Sequence, residues 1–230
     1  SAASRPTPAR ETANALWMSV ARGGVALRGQ YYRTRADLMA ALQALITQER
    51  AANRRVLVGF DFAFGYPDGF AQALTGNADP LALWGWLESV LVEGADNANN
   101  RFVLAAKINA GFAGEGPFWG HPNGKVYPGL SATRVELPDD LARKRLIETY
   151  VPQAKSVWQI AYTGSVGSQS LTGLPALHRL RGRLGTGVRV WPFEETEGGD
   201  VVLAEIYPSL FRDDVRQRLA AEPEGTIRDR

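Results

Sequence analysis

The sequence predicts an α/β fold built on a mixed sheet, with an antiparallel hairpin and flanking helices. Three patterns carry this expectation. Residues 15–32 alternate in hydrophobicity with a period of two, Val56–Phe60 is an unbroken apolar run, and helix-like and strand-like periods alternate after it. With 230 residues, 45% of them hydrophobic, the chain can bury roughly 70–75% of its unfolded surface without a metal or disulfide staple. No internal repeat or low-complexity linker interrupts it, so residues 1–230 read as a single domain.

Taken in order, Ser1 to Arg10 carry neither the apolar core nor the flanks of a signal peptide, and the start reads as cut or processed. Leu16, Met18 and Val20 alternate with Trp17, Ser19 and Ala21, and Val25–Tyr32 alternates again after Gly23-Gly24, which predicts a β-hairpin. Thr34 stands three residues before Asp37, a capping pattern, and Leu38, Ala41, Leu42, Leu45 and Ile46 follow at helical spacing over 35–50. Val56–Phe60 reads as a central strand buried on both faces and ending at Asp61. Asp79-Pro80 opens a helix with Leu83, Trp86, Leu87, Val90 and Leu91 on one face, closed by the polar loop Asp96–Asn100. Residues 111–138, rich in Gly, Pro and aromatics, have no period and read as a long ordered insertion. Asp139 restarts a helix, Ser156–Tyr162 reads as a strand, and Leu174–Leu184 as a helix with Pro175 in its first turn. Strands over Val188–Trp191 and Val201–Ile206 follow, then Pro208 and a helix with Phe211, Val215 and Leu219 spaced by four.

Composition narrows the function. Lys and Arg number 26 against 24 Asp and Glu, a net charge of +2, which argues against strong charge-driven binding to nucleic acid or membrane. The absence of Cys removes disulfide scaffolds, zinc ribbons, redox motifs and thiol nucleophiles, and with His121 and His178 as the only histidines a histidine-rich metal site is not expected. The longest near-apolar stretches, Val56–Phe60 and Leu81–Trp86, fall far short of the roughly 20 residues that span a bilayer. A soluble, cytoplasmic protein is the expectation.

Two carboxylates occupy equivalent positions, Asp61 directly after one strand and Glu205 near the end of another. In open α/β sheets the ligand crevice lies at the carboxyl ends of the strands. Acids converging there could hold a hard divalent cation, Mg²⁺ or Mn²⁺. On the residues alone the alternative stays open: Asp61 could cap the turn through Gly65, and Glu205 could pair with an arginine. The run from Gly164 to Ser170 lies between a strand and a helix, and Gly164, Ser165, Gly167 and Ser168 could offer backbone N–H groups to an anion. It lacks the Lys-Ser/Thr ending of a Walker loop and could equally be a capping turn. His178, Arg179, Arg181, Arg183 and Arg189 could meet phosphates, although such a run at helical spacing is also what a solvated face looks like. His121, near Trp119, could contact a ligand or simply pack. No Gly-x-Ser-x-Gly elbow supports a serine hydrolase.

Val58-Gly59-Phe60-Asp61-Phe62-Ala63-Phe64-Gly65-Tyr66-Pro67, Ala204-Glu205-Ile206-Tyr207-Pro208 and Ile227-Arg228-Asp229 together resemble a bacterial family classed as predicted nucleases of ribonuclease H-like fold. In that family an aspartate ends the first strand, an acid follows a later strand, a Glu precedes a Tyr/His-Pro pair, and a last Asp opens the terminal helix. Asp61, Glu205 and Asp229 match the last three, in segments that follow the family's element order over most of the chain. Ser1-Ala2-Ala3-Ser4 resembles the stretch just after the first-strand aspartate, which would place that aspartate upstream of Ser1, and the terminal helix would be cut soon after Asp229. Lys155–Gln169 resembles a subgroup often labelled as cobalamin- or molybdopterin-biosynthesis proteins, though nothing in the residues speaks for a tetrapyrrole or pterin. The resemblance implies a ribonuclease H-like domain, incomplete at both ends, whose acids Asp61, Glu205 and Asp229 hold Mg²⁺ or Mn²⁺ and hydrolyse a phosphodiester of a nucleic acid or nucleotide. The alternative is a module of the same fold that binds a nucleotide or metabolite without hydrolysis.

Overall fold

The alternating segment at the start folds into a hairpin. In the computed structural model, which describes residues 2–13, 15–151, 154–162 and 164–221, β1 (Leu16–Met18) and β4 (Gln30–Tyr32) pair antiparallel around a smaller ladder of β2 (Ala21–Arg22) and β3 (Val25–Ala26). Gly23 and Gly24 turn the chain with φ of 56° and 81°, values that two L-residues in succession resist. α1 (Arg35–Ala51) starts where the capping pattern puts it, with the Thr34 hydroxyl accepting from the Asp37 N–H at 3.1 Å. β5 (Val56–Phe60) and α2 (Phe70–Thr75) follow. α3 (Pro80–Val90) is capped by Asp79, which accepts from the Leu81 N–H at 2.9 Å. The chain continues through α4 (Arg101–Asn109), α5 (Leu146–Tyr150), α6 (Val166–Leu184), β6 (Val188–Trp191), β7 (Val201–Glu205), a 3₁₀ turn over Pro208–Phe211 and α7 (Arg212–Ala221).

The architecture is α/β, but the sheet is not mixed. β5, β7 and β6 form a three-stranded, all-parallel sheet in that order, and the hairpin forms its own antiparallel ladders beside it. β5 is therefore an edge strand and not the central one. The middle position belongs to β7, whose Val201 and Leu203 are fully buried, whereas Leu57 of β5 is 74% exposed. An apolar run reports that a strand tolerates burial on both faces, not that it is flanked on both edges.

Three further expectations are corrected. Residues 156–162 form turns and an isolated bridge between Trp119 and Gln159 instead of a strand, although Val157, Trp158 and Ile160 are buried as a strand's inner face would be. Asp139 does not restart a helix; that segment turns until α5 begins at Leu146. α6 begins at Val166, eight residues before the apolar pattern suggests, so Pro175 lies mid-helix. Its first half is buried through small polar residues. The Ser170 hydroxyl donates to Ala63 O at 3.0 Å, the Thr172 hydroxyl to Ser168 O at 2.9 Å and the Ser168 hydroxyl to Ile160 O, which satisfies the groups that burial would otherwise penalise.

α6 is the element on which the others converge. α3 packs along it, α1 and α4 touch it, and Leu171, Leu174 and Leu177 join Leu83, Trp84 and Leu87 in the core. An aromatic cluster of Phe70, Phe118, Trp158 and the ring of Tyr66 fills the space beneath the long insertion. Among the described residues no helix is long and apolar enough to cross a membrane.

The packing of α6 yields a paired test. A Cβ built on Gly167 would lie 2.1 Å from Val157 O, a backbone atom that cannot step aside, whereas one on Gly182 in the same helix meets nothing within 4 Å. Gly167→Ala should cost about 1–3 kcal/mol of stability by overpacking, and Gly182→Ala should add about 0.5–1 kcal/mol by lowering the entropy of the unfolded chain, both read from urea denaturation.

Candidate functional site at the carboxyl end of the parallel sheet

Phe60 and Glu205 are register partners on β5 and β7, so Asp61 and Glu205 leave neighbouring parallel strands at the same end of the sheet. These two sequence-predicted acids are brought together. The third, Asp229, lies outside the described residues. Asp61 is exposed. Its carboxyl is held above the usual range, first by the partial loss of water around it and then by the negative charge of Glu205.

Glu205 has a partner. Arg145, directly ahead of α5, grips it with both fork nitrogens, Nη2 to Oε1 at 2.6 Å and Nη1 to Oε2 at 2.7 Å. The Phe64 N–H donates to the same Oε2 at 3.0 Å. Arg145 Nε and backbone N–H reach Glu148 at 2.9 and 3.0 Å, and Nη2 also donates to Tyr207 Oη at 2.9 Å. Burial works against the guanidinium charge, but the hydrogen bonds and charges of Glu205 and Glu148 outweigh it and raise the pKa of Arg145. The Tyr207 hydroxyl is pushed up by burial and by its hydrogen bond to Glu205. One arginine thus serves two carboxylates while Asp61 stands apart from it. Nearby, the buried Tyr66 Oη makes no hydrogen bond.

A cleft of about 1180 Å³ opens beside Asp61. It is lined by β1, the free edge of β5, residues of α1 and α6, and the Gly164-Ser165 turn; Glu205, Gly167 and Ser168 do not line it. The anion reading of the Gly164–Ser170 run loses its donors here. The N–H groups of Ser165, Val166 and Gly167 go to Tyr162 O at 3.2 Å, Gly164 O at 2.9 Å and Gln159 O at 3.0 Å. Gly167 and Ser168 are buried, and the Ser168 hydroxyl also accepts from Arg101 Nε at 2.8 Å. Gly164 and Ser165 remain as part of the cleft wall.

The remaining candidates take structural roles. His178 packs against Gly85 of α3, and His121 lies against Tyr127 at 5.8 Å between ring centres. Arg179 faces Glu88 and Glu93, and Arg181 pairs with Glu194. Among the described residues no group of three or more acids and histidines is gathered in a way that could hold a metal ion. The residue that sequence reasoning passed over is Arg145; its only local signal is Glu148 three residues on, and its pairing with Glu205 spans 60 positions. No protein-family model, curated protein or solved structure matches the chain.

Two outcomes follow from the charges. Arg145→Met leaves Glu205 and the buried Glu148 without their partner and should cost about 3–5 kcal/mol near neutral pH. Urea denaturation reads that loss. The raised pKa of Asp61 in the unmodified protein is a cost to folding that is fully present above that pKa and absent below the unfolded value. Asp61→Asn should therefore raise Tm near neutral pH and leave it unchanged in acid.

Proposed function

We propose that the chain is a metal-dependent phosphodiester hydrolase acting on a nucleic acid or nucleotide, with Asp61 and Glu205 as its acids and Mg²⁺ or Mn²⁺ as its cation. The observation that supports this reading is the departure of the two acids from adjacent parallel strands at one end of the sheet. The raised pKa of Asp61 agrees with it, because a carboxylate that has lost part of its water and also faces a second acid gains from a cation.

The donor set fits such an ion in a restricted way. Mg²⁺ keeps most of its waters and is commonly bound through one or two carboxylates together with substrate phosphates. Asp61 is open to serve as one ligand; Glu205 becomes the second when Arg145 gives up one of its two oxygens. Bound there, the cation would activate water and stabilise the leaving oxygen of a phosphodiester. Arg145, once turned from Glu205, presents a planar fork suited to phosphate oxygens, so the same residue that neutralises Glu205 can orient the substrate. Glu148, held by Arg145 at 2.9 Å, keeps that guanidinium close throughout.

A second reading rests on the bidentate Arg145–Glu205 pair taken as permanent. Glu205 is then not available to an ion, and the cleft beside Asp61 serves a nucleotide or metabolite without hydrolysis.

Mn²⁺ titration by calorimetry, with cleavage assays on single- and double-stranded substrates, separates the two. Hydrolysis that requires Mn²⁺ and is lost in Asp61→Asn is the expected result. Nucleotide binding that needs neither Mn²⁺ nor Asp61 would favour the second reading, and Mn²⁺ binding unchanged in Asp61→Asn would remove the first.

A further inference from the structure

Arg101, the first residue of α4, is only 8% exposed, yet the oxygens it binds among the described residues are all neutral. Its Nε donates to Ser168 Oγ at 2.8 Å, and its Nη1 to Ser4 Oγ at 2.7 Å and Asn99 Oδ1 at 2.8 Å. A cation cut off from water needs an opposite charge, and neutral oxygens replace its hydration only in part. Glu93 is the acid whose charge reaches it, but Glu93 is engaged elsewhere. Arg35 holds one of its oxygens and Arg179 Nη2 lies 3.6 Å from the other. Arg35 adds to the imbalance. It donates to Ala3 O at 3.0 Å, so the two guanidiniums grip successive residues, and after burial its charge is the next cause that lowers the pKa of Arg101.

The guanidinium is also fixed in place and only partly used. Ser168, whose hydroxyl donates to Ile160 O, holds its Nε edge, and its plane lies against the Phe102 ring with Cζ 4.4 Å from the ring centre. Nη2 makes no hydrogen bond among the described residues. It keeps an opening to solvent, since Tyr66 Oη is the side-chain atom among those residues that is both sealed and unbonded. Ser4 is exposed. Its hydroxyl accepts from Nη1, while its own proton has no acceptor among the described residues.

We propose that Arg101 and Ser4 form a binding site for a phosphate group, either free in solution or carried by a small ligand as a monoester. The planar fork of an arginine matches two phosphate oxygens, and the Ser4 hydroxyl, turned from acceptor to donor, serves a third. Arg35, bound one residue away along the same stretch, places a second positive charge near the site and favours a dianion over a carboxylate. The site stands apart from the metal reading, because it uses neither Asp61 nor a cation.

The test is thermal unfolding in inorganic phosphate against chloride, at neutral pH and equal ionic strength. Phosphate at about five times its Kd should raise Tm by roughly 2–4 °C. Arg101→Gln should lose this response. Ser4→Asp keeps the guanidinium and sets a carboxylate beside it; its Tm should exceed that of the parent in chloride and no longer respond to phosphate. Glycerol phosphate separates the two sources: a shift equal to that of inorganic phosphate assigns the site to the monoester of a ligand, and a shift with inorganic phosphate alone assigns it to the free ion. No phosphate shift in the parent, or a shift of the same size in the parent and in Ser4→Asp, overturns the proposal.

Discussion

The carboxyl end of the parallel sheet depends on how the five-residue turn from Asp61 to Gly65 is held. Three elements grip it by its backbone. Ser170 of α6 donates to Ala63 O at 3.0 Å, Trp84 Nε1 of α3 donates to Phe64 O at 2.7 Å, and the Phe64 N–H donates to Glu205 at the end of β7. Phe62 lies over Gly173, where a Cβ would come within 2.4 Å of its ring. Because each of these groups is buried or partly buried, each would be costly to leave unpaired, and together they fix where the chain leaves β5. The small polar face of α6 follows from this constraint: a leucine at 170 or 173 would fill the space but could not bond the carbonyl or admit the ring.

The same economy of partners governs the charges. Arg145 is the counter-charge for Glu205 and for Glu148, so the start of α5 and the end of the sheet are tied together through one side chain. A second buried polar centre lies at the entry of the chain. Arg35 pairs with Glu93 and bonds Asn97 O, while Arg101, among the described residues, donates to the neutral oxygens of Ser168, Ser4 and Asn99. Burial, aided by the nearby charge of Arg35, lowers the pKa of Arg101 to about 10. The guanidinium keeps its proton at neutral pH and holds residues 2–4 against the body of the protein by charge-assisted hydrogen bonds.

What was legible in the sequence followed from local chemistry. The hairpin, the Thr34 and Asp79 caps, and the strands at 56–60, 188–191 and 201–205 each announce themselves within a few residues, and Asp61 and Glu205 lie at one end of the sheet because the two strands that they follow or end are parallel neighbours. What was hidden depends on partners far away in the chain. The first half of α6 carries Ser168, Ser170 and Thr172 where an apolar stripe would be sought, and only the carbonyls of residues 63 and 160 and of Ser168 explain why they can be buried. Val157, Trp158 and Ile160 imitate a strand because they are buried, yet the segment forms turns and an isolated bridge in place of a ladder. Arg145 was invisible for the same reason: nothing near it in the sequence says that a carboxylate 60 residues later will need it.

The contrast between the two acids is a consequence of strand order. Glu205 ends the central strand, flanked by the ends of β5 and β6, and its side chain is only 11% exposed. A carboxylate so placed is largely cut off from bulk water and needs a fixed counter-charge, which Arg145 supplies at both oxygens. Asp61 ends the edge strand, where the absence of a neighbour leaves one side open to solvent and no arginine is required to keep it soluble in its surroundings. Had β5 been central, as its apolar sequence suggests, Asp61 would have needed a counter-charge of its own. The edge position thus makes Asp61 the accessible member of the pair, and its raised pKa records first the water it has lost and only then the charge of Glu205.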